Sequence, residues 1–487
     1  MTHRSLTVFA ALVALVACMA LTVGVAAGAP SVGAEGAPKE PGSKRHPQPP
    51  KPSPHGKLTQ LQGKAGCIVA AGAKGPASCG RARALTGPGD GFGSHAIAIS
   101  PDGRSVYVAA SKSSSIAVFA RNPQTGALKQ PKGKAGCVAA KAEHGCGLAI
   151  GLIGPNSVAV SPDGQYVYAT SRGGSSLTSF LRDKKTGALV QLPPSSSGCI
   201  SGLPIPECTA ARALVDPDVV VVSPDGKNVY VGAFAGNAVV SFARNAASGA
   251  LTQLEGTAGC IALATGGCAT GVGLGAIEGL DISPDGTAVY AAAASSNAIA
   301  VLARNAETGA LAQATDKTGC ITNVETTGCT TGRQIAGANT VAVGPQGAVY
   351  VTSLLSNSIT SFSEAEPAKL VQNEGAAGCL IFLRSAGCAF GRAMSAPEGV
   401  AVSPDGSSVY VTAFATGAID VMDRDPKTGG VEQKPHRAGC VAPKSVSGCT
   451  LGRALAGSGS AVVSPDGRNV YSTAFVSNAV DVFRRHK

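Results

Sequence analysis

The stretch that most constrains the fold is Glu398–Ala413, EGVAVSPDGSSVYVTA, because the chain carries seven versions of it. Val400 and Val402 alternate with small residues, the pattern of a half-buried strand. Pro404 presets φ for the first turn position, Asp405 bonds its own backbone, and Gly406 supplies the positive φ that closes the turn. Val409, Tyr410 and Val411 then open a return strand with residues that suit a pleated surface. The turn begins at Ser100, Ser161, Ser223, Ser283, Gly344, Ser403 and Ser464, at spacings of 61, 62, 60, 61, 59 and 61 residues. A tyrosine follows each time, at Tyr107, Tyr168, Tyr230, Tyr290, Tyr350, Tyr410 and Tyr471. The fifth copy departs, with Gly344-Pro345-Gln346-Gly347 and one residue fewer before its tyrosine.

A fixed period of this size marks a repeat architecture. Each unit adds a third strand, as in Ser115–Ala120 or Ala238–Ala243, and a fourth, as in Leu251-Thr252-Gln253. Four short antiparallel strands without helical periodicity make a propeller blade, so the chain is predicted to be all-β, a single seven-bladed β-propeller. The fourth strand starts at Leu58, Leu128, Leu189, Leu251, Leu311, Leu370 and Val431. Its first copy precedes the first hairpin and none follows the seventh. The segment Lys57–Leu61 is therefore expected to complete the last blade, closing the ring and removing two free sheet edges.

The propeller is assigned to 57–487. Residues 1–29 are read as a signal peptide: His3 and Arg4 precede an apolar run, and small residues around Ala26–Ala29 offer a cleavage site. Leu15-Val16-Ala17-Cys18 also fits a lipoprotein box that would lipidate Cys18, and an uncleaved anchor is the third reading. Residues 30–56, rich in Pro, Gly and Lys, read as a disordered basic linker. The expected location is secreted or at the cell surface. The formal charge of +11 comes without an aromatic and basic platform, which argues against nucleic acid and leaves a weak attraction to anionic surface polymers. With no Trp and 4% aromatics, packing between blades falls to small and β-branched side chains.

Fourteen cysteines form seven pairs, one per unit: Cys67/Cys79, Cys137/Cys146, Cys199/Cys208, Cys260/Cys268, Cys320/Cys329, Cys379/Cys388 and Cys440/Cys449. An even count at repeating spacing behind a secretory signal reads as disulfides, each closing its own loop. A metal reading is disfavoured because neither CxxC nor CxxCH occurs. The stapled loops join one blade's outer strand to the next blade's inner strand, so they are expected to crown one face.

Five residues before each turn stand His95, Asn156, Asp218, Glu278, Asn339, Glu398 and Gly459. Alternation along the inner strand places them at the mouth of the central channel, and their differing identities suit an asymmetric site on a symmetric scaffold. Asn156, Asp218, Glu278, Asn339 and Glu398 could together hold Ca²⁺ or Mg²⁺, could bind a polar ligand without metal, or could simply satisfy loop amides. His95 is a candidate base. A second ring, Arg83, Arg212, Arg333, Arg392 and Arg453, follows the second cysteines and either braces the loops or contacts an anion. An insertion at about 87–92 lies beside His95 and is a candidate lip over the mouth. No nucleophile motif, phosphate loop or cofactor fingerprint is present.

The S-P-D-G-x-x-V-Y-V units, followed by N-A-I/V-x-x-F and T-G-A-L-x-Q, resemble the lactonase-like seven-bladed propellers and the YVTN surface-protein repeats over 57–487. That resemblance implies His, Glu and Arg around the channel mouth, matched here by His95, Glu278, Glu398 and the arginine ring. It implies ligand binding or lactone chemistry, since the group includes lactonases, muconate-lactonising cyclases and proteins that only bind. The acidic and amide set also resembles the calcium ligands of six-bladed gluconolactonases. The expected function is binding of a small polar ligand or surface polymer at the mouth by a monomer, with lactone hydrolysis or lyase chemistry there as the alternative.

Overall fold

The computed structural model describes residues 55–89, 95–141, 145–264, 266–383, 385 and 387–487. The leader, Cys18 and most of the linker lie outside the described residues, as do 90–92 of the insertion and 93–94 between it and His95. Among the described residues no helix is long and apolar enough to cross a membrane.

Each repeat forms one sheet, and seven sheets of the same strand order are present. In blade 2 the inner strand Pro155–Val160, the second Tyr166–Ser171 and the third Ser176–Arg182 pair antiparallel in sequence order. The S-P-D-G turns close as the sequence demands: in blade 6, Gly406 has φ of 65°, Asp405 accepts from the Ser407 amide, and the Ser403 hydroxyl bonds Asp405. The outer position is split. Leu189–Gln191 pairs with the lower half of the third strand and Cys199–Ser201 with its upper half, on either side of a short 3-10 turn. The expected four-strand blade therefore gains a fifth strand: Thr209–Ala210 runs parallel to Cys199–Ser201 outside it. The Cys199–Cys208 disulfide turns the chain back on itself, so that it climbs the blade edge twice in the same direction.

All seven expected disulfides are formed: Cys67–Cys79, Cys137–Cys146, Cys199–Cys208, Cys260–Cys268, Cys320–Cys329, Cys379–Cys388 and Cys440–Cys449. They lie at the mouth end of the blades, on one face as expected, but at the outer edge of each sheet and not over the channel. The first cysteine of each pair opens the upper outer strand. The second, Cys79, Cys146, Cys208, Cys268, Cys329, Cys388 or Cys449, stands immediately before the fifth strand, which begins at Gly80, Gly147, Thr209, Ala269, Thr330, Ala389 or Thr450. These two strands are the outermost of each sheet, so the staples sit on the rim of the ring. The physical reason is the parallel fifth strand: the loop between the cysteines folds back along its own blade before the chain crosses to the next. Six further residues, 211–216 after blade 2, then carry the chain from the rim to the next inner strand at Pro217.

The ring closes through the N-terminal segment. Leu58–Gln60 and Cys67–Ala70 both pair antiparallel with the last strand, Ala479–Arg485, and Gly80–Ala82 adds the parallel fifth strand. Apolar side chains from facing sheets fill the junctions, as Tyr107, Val118, Val158, Val167 and Phe180 do between blades 1 and 2.

The repeated tyrosine and third-strand arginine explain the blade junctions. Arg182 of blade 2 donates Nε to Tyr107 Oη of blade 1 (2.8 Å) and Nη2 to the Asp102 carboxylate of blade 1 (2.9 Å). Tyr107 donates in turn to Gly187 O (2.9 Å), the glycine of the T-G-A-L turn in blade 2. The same Asp–Arg–Tyr lock recurs through Arg121, Arg244, Arg304 and Arg485. At the closure the glycine is Gly56, which accepts from Tyr410 (2.8 Å). Blade 5 breaks the pattern twice. Glu364 stands where the arginine should, accepting from Tyr290 (2.8 Å), and Gln346 replaces the turn aspartate, so Arg424 keeps Tyr350 (2.7 Å) without a carboxylate.

Candidate functional site

The mouth is built where the inner strands begin. There the pairing with the second strand shifts register in six blades: between Pro155 and Ser157, Pro217 and Val219, Ile277 and Gly279, Ala338 and Thr340, and Pro397 and Gly399, and across Ser458 to Ala461. The skipped residues are Asn156, Asp218, Glu278, Asn339, Glu398 and, in the wider last gap, Gly459. Each is a β-bulge residue, and a bulge re-aims its side chain away from the regular alternation. The bulge, invisible to a simple parity count, is what brings these positions into one ring.

The ring residues are buried rather than solvent-facing, with Asn156 and Asp218 at 0% and Glu278 at 5% exposure. They bond around the ring from blade to blade. Asn156 Nδ2 donates to Asp218 O (2.9 Å) and to the Asp218 carboxylate, while Thr170 Oγ1 donates to Asn156 Oδ1 (3.2 Å). Asn339 Nδ2 donates to Pro397 O (3.1 Å), Thr352 Oγ1 to Asn339 Oδ1 (2.8 Å), and Thr340 Oγ1 to Glu398 O. Gly279 and Gly399 let neighbouring inner strands close up, since a Cβ there would stand 2.7 Å from Asn339 O and 2.3 Å from Gly459 O. At Gly459 the seventh blade contributes no side chain, and the Glu398 carboxylate is the nearest group to the space left, 3.5 Å from where a Cβ would sit. For a resident Ca²⁺ or Mg²⁺ the donor set is poorly arranged: both asparagines turn their amides to neighbouring backbone, and among the described residues no three His, Cys, Asp or Glu come together to hold a metal.

His95 reaches from blade 1 to the backbone of Val341 in blade 5, on the far side of the channel. Burial drives its pKa down to about 4, against the Val341 bond, so the imidazole is neutral at physiological pH. The insertion that precedes it starts by bridging Pro88 and Gly89 to Ala110, at the end of the second strand of blade 1.

The arginine ring lies elsewhere. Arg83 donates to Pro131 O and Gly133 O, Arg212 to Gly256 O, Arg333 to Gly387 O, Arg392 to Lys434 O and His436 O, and Arg453 to Leu61 O. Each ties a fifth strand to the outer turn of the next blade, on the rim and away from the mouth.

Two features escaped the sequence reading. Asp281 belongs to the inner strand of blade 4, two residues before its turn, and accepts from the Val343 (2.7 Å) and Ile282 (2.8 Å) amides. Burial raises its pKa to about 6. A signal was available, because the same position holds Ala98, Ala159, Val221, Ala342, Ala401 and Val462 in the other copies. The second is a collar around the ring. In six blades the last residue of the second strand pairs with the first of the inner strand, as Ala233 does with Pro217, and in blade 1 Ala110 ends the second strand at the equivalent position, so the residue that follows it stands just outside the ring on the same face. Those residues are Ser111, Arg172, Phe234, Ala294, Leu354, Phe414 and Phe475. The Phe414 and Phe475 rings lie 6.4 Å apart between centroids, and Lys112 Nζ stands 4.2 Å from the Phe475 centroid. Arg172 lies over Phe234 (4.7 Å), with Nε donating to Asp216 (3.0 Å) and Nη1 3.7 Å from Asp218. Exposed Leu355 and Val476 extend the apolar face outward. Chemically, the collar offers flat apolar faces and two cations above a buried rim of carboxylates and amides and a half-buried, neutral imidazole.

Comparison with known proteins agrees with the fold. The family model described as lactonase, 7-bladed beta-propeller, matches residues 91–142 and 151–262. No curated protein matches the chain. Among solved structures, the Kuenenia stuttgartiensis hydrazine synthase aligns with a TM-score of 0.50 at 18% identity, covering 81% of this chain and 96% of that one. A putative 6-phosphogluconolactonase from Bacteroides fragilis gives 0.49 at 18% identity, covering 69% and 81%. The Pseudomonas aeruginosa periplasmic gluconolactonase gives 0.47 at 18% identity, covering 70% and 84%.

Proposed function

We propose that this lactonase-like seven-bladed β-propeller, stapled by one disulfide in every blade, is an extracellular binding protein whose ligand is a small polar ring compound of the sugar or sugar-lactone class, held at the channel mouth. The observation that carries this reading is the Phe234, Leu354, Phe414, Phe475 collar above the buried ring of Asn156, Asp218, Glu278, Asn339 and Glu398. Aromatic faces take the C–H side of a sugar ring, while fixed oxygens and amides take its hydroxyls, which is the composition of a small-molecule site. The disulfides support an oxidising, extracellular setting.

The test is a panel of hexoses, uronic acids and aldonolactones followed by ligand-observed NMR on the oxidised chain. Binding that disappears in Phe414→Ser/Phe475→Ser, with the melting temperature within about 2 °C of the parent, is the expected result. Undiminished binding in that variant removes the mouth as the site.

One observation favours a second reading, lactone ring-opening at the same mouth. His95 is held neutral, so it meets a water as imidazole and not as imidazolium, and Glu278 and Glu398 are carboxyls of the same set of inner-strand positions. Base-assisted attack of water on the lactone carbonyl yields the hydroxy acid, and the pH-stat reads the proton released. Turnover that His95→Gln abolishes, without loss of binding, selects this reading over binding alone.

A further inference from the structure

The charge of this chain is not spread evenly. Between Lys57 and Gly151, which make up the N-terminal outer strands of blade 7 and the whole of blade 1, there are twelve Lys and Arg against three Asp and Glu, a net +9 of the chain's +11. From Leu152 to the C-terminus 23 basic residues face 24 acidic ones. One sector of the ring therefore holds nearly all of the excess.

The same sector contains a large groove. About 560 Å³ in volume, it runs along the rim where blade 7 meets blade 1. Lys64, Arg81, Arg83, Lys129 and Lys132 line it, with Ile68, Ala82, Phe119 and Leu128 at its floor and no Asp or Glu among the described residues. A second groove of about 310 Å³ continues on the other side of the clasp strand, with Arg484 and His486 in its wall and again no carboxylate among the described residues. The two arginines on the larger groove's wall are held in place: Arg81 donates to Ala73 O (2.7 Å) and Arg83 to Gly133 O (3.0 Å). Lys64, Lys129 and Lys132 are exposed.

We propose that this closure groove is a second binding site, separate from the mouth, and that it takes a segment of an acidic polysaccharide. A long-range basic field concentrates any polyanion. The choice among polyanions rests on the groove itself. Its apolar floor matches the C–H faces of sugar rings, and the lysines along its edge meet carboxylates repeated along the chain as point charges. A polyphosphate offers the charge without the apolar face, and a neutral glycan the face without the charge.

The test uses the full oxidised chain and oligogalacturonate of about ten residues, titrated by calorimetry at several salt concentrations. Inorganic polyphosphate, a neutral galactan and poly-glutamate serve as comparison probes. The expected result is saturable oligogalacturonate binding, weakened at least 10-fold in Lys64→Glu/Lys129→Glu/Lys132→Glu, with the salt slope smaller by roughly 2–3 as the three contacts vanish. The control Lys184→Glu/Lys185→Glu/Lys227→Glu makes the same change in net charge at exposed lysines in blades 2 and 3 and is expected to stay within 2-fold. Equal weakening by both triple variants overturns the site, because binding then follows net charge alone. Equal or tighter polyphosphate or poly-glutamate binding overturns the polysaccharide assignment. Phe414→Ser/Phe475→Ser should leave oligogalacturonate binding intact, which separates this proposal from the reading of the mouth.

Discussion

Replacing Arg182 with Met probes the blade lock, and replacing Arg424 with Met supplies the natural comparison. Arg182 is buried, with side-chain exposure of 0%, and serves Tyr107 Oη, Gly164 O (2.9 Å), Ser105 Oγ (3.0 Å) and the Asp102 carboxylate. Methionine roughly preserves the volume, so the cost is the broken ion pair and the hydrogen bonds left unmade. Breaking a buried pair costs about 3–5 kcal/mol. The Asp102 side chain is 35% exposed, which screens its share and favours the low end, about 3 kcal/mol. Arg424 bonds Tyr350 Oη and Gly406 O (3.1 Å) but faces no carboxylate, because Gln346 occupies the turn position. Its burial already carries an uncompensated desolvation cost, so Arg424→Met should cost about 1 kcal/mol or less. The difference, on the order of 2 kcal/mol, is read by urea unfolding of the oxidised protein, followed by near-ultraviolet circular dichroism of the eight buried tyrosines. Equal costs for the two substitutions would refute the claim that the carboxylate makes the lock.

Three other outcomes follow from the same geometry. His95 is depressed to about 4, so the unfolded chain binds a proton there that the folded one does not, and that stability is lost as pH falls from about 6.5 to 4. Asp281 is raised to about 6, so its contribution is lost as pH rises from about 4 to 6. His95→Gln should therefore flatten, and Asp281→Asn steepen, the rise of stability with pH across that window; changes of the same sign in urea titrations at pH 4.5, 5.5 and 6.5 would contradict the two assignments. Removing one staple, Cys137→Ser/Cys146→Ser, opens a loop with a sequence separation of 9 and should cost about 2.5 kcal/mol of oxidised stability in the same assay. Deleting 55–70 strips both antiparallel outer segments from blade 7 and the Gly56 partner of Tyr410, and the expected product is an unfolded or aggregated chain by size-exclusion chromatography.

The sequence by itself determined the architecture. A seven-fold period, a turn whose Pro, Asp and Gly each have a local stereochemical role, and an extra outer strand before the first hairpin with none after the seventh together fix blade number, strand order and the mode of closure. Cysteine pairs 8 to 12 residues apart determined the disulfides for the same reason, since all of these are short-range facts within one repeat. The candidate ring was also legible, because its residues differ where the scaffold repeats.

Tertiary structure decided where those residues point. A bulge at Asn156 and its equivalents, not simple alternation, sets the ring, and its amides turn to the next blade because inner strands lie within hydrogen-bond reach only once the ring is closed. The staples lie on the rim because a fifth strand, two residues long in blade 2 and parallel, forms only when the disulfide folds the chain back against its own sheet. The Phe414 and Phe475 collar, the reach of His95 to Val341 and the basic groove at the closure join residues tens to hundreds of positions apart. A repeat tells a chain how each blade folds. Only seven blades packed in a circle determine which of their exceptions meet.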